Sequence, residues 1–178
     1  PSIDINALKN MTYQEVALEV ISPYISNEIS RIDLKKIIEN SYQHFSHKKI
    51  APVTIIEQNK YILELFYGPT FAFKDYALQF LGNLFTYALP KASKKLTVLG
   101  ATSGDTGSAA IHAFRGKQDI NVFILHPHNR VSEVQRRQMT AVQDENIFNI
   151  AIKGTFDDCQ KIVKELFIDD ELQQHTSL

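Results

Sequence analysis

The sequence predicts an α/β fold: a three-layer, open parallel sheet flanked by helices, led into by a region of helices and one β-hairpin. Three observations carry this. In the second half, short apolar runs at 96–99, 120–125 and 147–152 alternate with helical patterns. Strands alternating with helices of this length imply parallel βαβ units with right-handed crossovers. In the first half, two helical patterns open on capping pairs, and two β-branched or aromatic runs follow them.

Taken in order, Thr12 and Glu15 form a capping-box pattern. Behind it Tyr13, Val16, Ala17, Val20 and Ile21 recur at helical spacing, and Pro23 is expected to follow the stop. Ser30 and Asp33 start a second helix, with Leu34, Ile37, Ile38, Tyr42 and Phe45 on one face. Runs 53–57 and 61–65 flank Gln58-Asn59-Lys60 and read as a hairpin. A third helix is expected over about 72–88, with Ala77, Leu81, Leu84, Phe85 and Ala88 turned inward. A composition shift at 90–95 divides the chain into 1–92 and 93–178. Beyond it come the strand at 96–99, a small-residue loop and a helix to about Arg115, then the strand at 120–125. Ser132 and Gln135 cap a helix to about Ala141, and the strand at 147–152 follows. Thr155 and Asp158 open a last helix carrying Phe156, Cys159, Val163, Leu166 and Phe167.

Composition narrows the function classes. At 178 residues the chain holds one ordinary core, or one domain and part of another. Its 44% hydrophobic and 22% charged residues place it with globular proteins. Nineteen basic against twenty acidic residues leave no global basic field for a nucleic-acid backbone. One cysteine, Cys159, rules out an internal disulfide and favours a cytoplasmic setting. No apolar run approaches the ~20 residues of a membrane helix.

Two segments carry chemistry. Residues 99–107, Leu-Gly-Ala-Thr-Ser-Gly-Asp-Thr-Gly, join a strand to a helix. A helix N-terminus presents unpaired N–H donors and about half a positive charge, which favours carboxylates or phosphates. Thr102, Ser103 and Thr106 add hydroxyls, and Gly104 and Gly107 permit close backbone approach. The same composition also serves simply to cap a helix. No lysine follows the last glycine, so this is not a Walker motif. The second segment, 64–75, reads Glu-Leu-Phe-Tyr-Gly-Pro-Thr-Phe-Ala-Phe-Lys-Asp. Lys74 near a helix start, flanked by Phe71 and Phe73, suits a pocket that disfavours the ammonium form, unless Asp75 points its carboxylate at the amine. A neutral amine is what imine formation requires. A lysine stem running along apolar surface into water fits the same pattern.

Together these segments resemble the threonine synthase family. The 64–75 segment is similar to the one ending in that family's pyridoxal phosphate lysine, and 101–107 to its substrate-side loop. The resemblance continues through 112–114, 124–130 and 154–160 and, more weakly, 1–30. It implies a pyridoxal 5'-phosphate enzyme built like tryptophan synthase β chains, converting O-phospho-L-homoserine and water to threonine and phosphate. Lys74 then matches the lysine that bonds the cofactor and moves protons. Thr102, Ser103, Gly104, Asp105 and Thr106 match the loop facing the substrate carboxylate, with Asp105 also toward the cofactor's edge. Related dehydratases and cysteine synthases usually carry Asn where Asp105 stands. The family's glycine-rich loop for the cofactor phosphate has no counterpart after Gly107. The chain is therefore expected to be an amino-terminal fragment of a two-domain enzyme, lacking its carboxy-terminal domain and inactive alone. Another fold-related pyridoxal phosphate enzyme and a non-catalytic module of the same fold are the alternatives. His126-Pro127-His128 lacks a third ligand, so no metal is expected. Arg136 and Arg137 are expected on a solvated helix face, and Cys159 inside.

Overall fold

Residues 3–25, 27–92 and 95–176 are described by a computed structural model. Ser93 and Lys94, from the expected boundary segment, lie outside the described residues. The chain divides into two units, Pro1–Leu84 and Phe85–Leu178. The division falls inside a helix, ahead of the composition shift at 90–95.

The first unit begins with a short 3-10 turn, Ile5–Leu8, then α1 (Tyr13–Ile25) and α2 (Arg31–Tyr42). The capping box is reciprocal: Thr12 N–H donates to Glu15 Oε2 at 2.7 Å, and Glu15 N–H to Thr12 Oγ1 at 3.3 Å. Contrary to expectation, Pro23 does not end α1, which runs through it to Ile25. A proline in the last turn forfeits its own N–H bond, a local loss that packing of the helix can outweigh. Ser30 caps α2 as expected, accepting from Asp33 N–H at 3.1 Å.

The predicted face of α2 is the core of this unit. Leu34, Ile37, Ile38, Tyr42 and Phe45 are all buried. Around them Tyr13, Tyr42, Phe45 and Tyr76 pack edge-to-face, with ring centroids 5.0, 5.3 and 4.9 Å apart in that order. Such pairs add roughly 0.5–1.5 kcal/mol each beyond area burial. Their polar ends are satisfied: Tyr42 Oη donates to the Tyr76 carbonyl at 3.0 Å, and Tyr76 Oη to the Ile50 carbonyl at 2.7 Å. Burial pushes the Tyr76 phenol up to about 12.

The hairpin is β1 (Val53–Glu57) and β2 (Lys60–Leu63), antiparallel, with Glu57 opposite Lys60. Gln58-Asn59 alone makes the turn, with Asn59 at φ 63°, so Lys60 belongs to the strand rather than the turn. Both faces of the hairpin are exposed within the chain, including Ile55, Ile56, Tyr61 and Leu63. The third helix, α3, spans Asp75–Ala92 and carries Pro90 inside it. Its predicted stripe is only partly covered. Leu81, Leu84 and Phe85 are half-buried, but Ala77 and Ala88 are exposed. Periodicity decides which residues share a face, not whether anything covers it.

The second unit is the predicted βα array: β3 (Leu96–Ala101), α4 (Asp105–Phe114), β4 (Ile120–Pro127), α5 (Glu133–Thr140), β5 (Ile147–Ile152) and α6 (Phe156–Phe167). A short α7 (Asp170–His175) follows, too brief to show a period. The strands are parallel in the order β3-β4-β5. α4 packs against β4 and α5, and α6 returns across β3 and β4. Cys159 of α6 is fully buried, as its place on the apolar stripe implies, and burial pushes its thiol up.

One side chain ties the lower end of this sheet. Asn146 Nδ2 lies within hydrogen-bonding distance of the carbonyls of Phe114, Lys117 and Ile120, at 2.9, 3.3 and 2.7 Å. Its Oδ1 accepts from Gly116 N–H at 2.9 Å. Gly116 has φ 69°, a conformation glycine adopts without a Cβ penalty. No described helix is long and apolar enough to cross a membrane.

Candidate functional site

The loop after β3 is organised by Thr102. Its N–H continues the sheet onto the Leu125 carbonyl at 2.9 Å, and the residue is only 3% exposed. Thr102 Oγ1 accepts from the N–H groups of Gly104 and Gly107, at 3.0 and 2.9 Å. The same hydroxyl donates to the Gly104 carbonyl at 3.1 Å. One donor and two lone pairs are the capacity of a hydroxyl, so Thr102 is fully engaged within the loop. Gly104, the N-cap of α4, supplies no side-chain cap, and Thr102 does that work from two residues upstream.

Gly107 is the close-packed point of this region. A Cβ there would lie 2.5 Å from Thr102 Cγ2, 2.6 Å from Met139 Sδ and 3.1 Å from Ile124 Cγ2. The loop, α5 and β4 therefore converge on the first turn of α4. With the Gly104 and Gly107 N–H groups used by Thr102, the helix end is left with those of Asp105 and Thr106. Ser103, Asp105 and Thr106 are exposed around that end, and Gly104 is buried between them.

Asp105 is held from across the loop. Gln135 Nε2 donates to its Oδ1, and Ser132 Oγ donates to Gln135 Oε1 at 2.8 Å. Ser132 still caps α5 by accepting from Gln135 N–H at 3.3 Å. The Gln135 side chain, however, does not close a capping box. It crosses to α4, so close over Gly104 that a Cβ at 104 would meet its Oε1 at 2.4 Å. The Ser-x-x-Gln pattern is local in sequence, and nothing in it signals a long-range partner.

His126 was expected only as half of a weak metal pattern. It sits at the end of β4, 5% exposed, with Nδ1 lacking a partner among the described residues. Burial lowers its pKa, the Pro127 carbonyl raises it, and the charges of His128 and Arg136 lower it further. No group of three potential metal ligands occurs among the described residues. Arg136 and Arg137 both bind Glu133, at 2.8 Å each, and hold its carboxyl down at about 2.

Lys74 lies in the first unit, immediately before α3. Its carbonyl accepts from Leu78 N–H at 3.0 Å, which makes it the N-cap. Its amine rests 4.2 Å from the centroid of the Phe73 ring and forms no ion pair among the described residues. The flanking phenyls do not wall a closed pocket within this chain: Phe71 is 69% exposed and Phe73 59%. The Asp75 carboxylate is directed to Thr70, accepting from its N–H and its Oγ1, both at 2.8 Å. Lys74 and the loop 102–106 thus belong to different units, and Gln135 is the residue that sequence reasoning missed beside the loop.

Comparison with known proteins follows the same line. A family model for the threonine synthase N terminus matches residues 1–42. Threonine synthase from Pseudomonas aeruginosa is 49% identical over 175 residues, which are 98% of this chain and 37% of that protein. The structure of a PLP-bound threonine synthase from Brucella melitensis superposes with TM-score 0.90 at 44% identity, covering 96% of this chain and 38% of that one. Yeast threonine synthase gives TM-score 0.88 at 44% identity, covering 97% of this chain and 37% of its own. The chain therefore spans a little over a third of the length of these relatives. Within that span, in sequence and in fold alike, it is similar to the threonine synthases.

Proposed function

We propose that this chain is the amino-terminal part of a pyridoxal phosphate-dependent threonine synthase, a carbon–oxygen lyase that forms threonine and phosphate from O-phospho-L-homoserine and water. The observation that carries the reading is identity near one residue in two with threonine synthases along almost the whole chain. The lysine fits the cofactor. An amine at a helix N-cap, without an ion-pair partner among the described residues, is available for a carbonyl carbon.

Lys74 holds the cofactor covalently and afterwards takes and returns protons at the substrate carbons. When bound, pyridoxal phosphate supplies the electron sink for that chemistry. The first turn of α4 receives the substrate carboxylate, through the N–H groups of Asp105 and Thr106 and the hydroxyls of Ser103 and Thr106. Gln135 keeps the Asp105 carboxylate drawn toward α5, where it competes less with that anion. Thr102 and Gly104 shape the loop.

The reading is tested with a protein of the relatives' full length. Phosphate release from phosphohomoserine, with threonine as co-product, is expected. Activity on serine or threonine alone would assign a different pyridoxal enzyme, and no cofactor uptake would leave a non-catalytic module. Within the loop two substitutions separate contact from scaffold. Ser103→Val is expected to raise KM for phosphohomoserine while cofactor binding is unchanged, since a hydrogen bond to a charged group contributes about 1.5–3 kcal/mol. Thr102→Val strands two N–H groups and should lower thermal stability as well, whereas Thr102→Ser keeps the hydroxyl and both properties. Steady-state kinetics with thermal melts check this. Normal KM in Ser103→Val would reduce the loop to a helix cap.

A further inference from the structure

We propose that Asp75 is a positioning residue for Lys74: its carboxylate locks the turn 68–71 to the first residue of α3 and so sets the direction in which Lys74 leaves the helix end. The inference rests on the reading of Lys74 given above, and four observations support it. Asp75 is fully buried, and both its oxygens are used, one by Thr70 N–H and one by Thr70 Oγ1. A buried carboxylate must be hydrogen-bonded to be tolerated, and the first turn of a helix favours negative charge. The backbone at Gly68 lies directly against it, so that a Cβ at 68 would meet Asp75 Cβ and Oδ2 at 2.5 Å. Phe71 is held at φ 63°, with its N–H on the Gly68 carbonyl at 3.1 Å. For a bulky residue that conformation is strained and persists only where neighbours impose it.

The strain is not repaid by burying the phenyl rings, since Phe71 and Phe73 stay mostly exposed in this chain. What the locked turn does accomplish is to fix the backbone on the amino-terminal side of Lys74. The helix, through the Leu78 N–H to Lys74 carbonyl bond, fixes the other side. The amine is thereby aimed from a backbone with little freedom, which is the condition for rapid capture of a carbonyl group.

The test uses the full-length protein with Asp75→Asn, Thr70→Val and Thr70→Ser. Ser41→Ala serves as a stability control, because it removes the buried Ser41 Oγ to Ile37 carbonyl bond, 2.6 Å, far along α2. Two properties are read: the rate at which Lys74 captures pyridoxal phosphate, by borohydride trapping and peptide mapping, and the pH profile of Lys74 labelling by acetic anhydride. Asp75→Asn and Thr70→Val are expected to slow capture about tenfold or more and to raise anhydride labelling of Lys74. Thr70→Ser, which retains both donors, should behave as the unmodified protein, and Ser41→Ala should lower the melting temperature while leaving both readouts unchanged. Wild-type capture and labelling in Asp75→Asn and Thr70→Val, despite lower melting temperatures, would make Asp75 a structural staple and overturn the proposal. If the unmodified protein captures no cofactor on Lys74, the functional reading fails, and the labelling comparison alone then decides the role of Asp75.

Discussion

Replacing Lys74 with Ala in the full-length protein is expected to abolish both covalent capture of pyridoxal phosphate and turnover. In the function proposed, the amine bonds the cofactor and moves protons at the substrate, and a methyl group can do neither. Lys74→Arg is expected to be equally dead, because a guanidinium stays protonated and offers no nucleophilic nitrogen. The fold should survive both changes. The side chain is half-exposed at the N-cap and rests on the exposed Phe73 ring, so only a contact of about 0.5–1 kcal/mol is lost. Absorbance of the cofactor, phosphate release and a thermal melt, measured on the same preparations, check the three statements. A reduced cofactor label found on any other lysine would overturn the assignment.

The 178-residue chain by itself is expected to show no turnover. It covers a little over a third of the relatives it matches, and no glycine-rich phosphate loop follows Gly107 within it. Each charge-assisted hydrogen bond to the cofactor phosphate is worth roughly 1.5–3 kcal/mol. At about 1.4 kcal/mol per tenfold, the loss of several weakens retention by orders of magnitude. The phenyls that flank Lys74 point the same way: Phe71 and Phe73 are more than half exposed, so they wall no closed apolar pocket for the amine among the described residues. Exposed apolar surface on the hairpin and around Lys74 should also drive self-association. Incubation with pyridoxal phosphate and phosphohomoserine, followed by dialysis and phosphate assay, reads both outcomes. Stoichiometric retention with steady turnover would show that this chain holds a complete site.

Much of the architecture was written in local patterns. Capping pairs at Thr12–Glu15, Ser30–Asp33 and Thr155–Asp158 start helices where expected, since each involves groups three residues apart. The strand at 147–152 matches to the residue, because its isoleucines and phenylalanine are strong strand formers even at the half-exposed edge of the sheet. The errors are also physical. The proline penalty is local and packing of the helix can outweigh it, so Pro23 did not set the end of α1. Ala77 and Ala88 share a face with Leu81 and Leu84, yet exposure depends on what lies opposite, which no period encodes.

By itself the sequence determined the α/β class, the strand-to-helix loop at 101–107, the place of Lys74 at a helix start and, through two long motifs, the family resemblance. Those properties depend on chemistry carried within a few residues. Only the tertiary structure decided how the groups in each segment are used. Thr102, read as a substrate donor, spends its whole hydroxyl on Gly104 and Gly107. Gln135, read as half of a local cap, reaches thirty residues back to Asp105. Asp75, read as a possible threat to the amine of Lys74, turns to Thr70 instead. Hydrogen-bonding capacity can be counted from residue types, but its allocation follows from which backbones the fold brings within about 3 Å, and that is settled by packing over the whole unit.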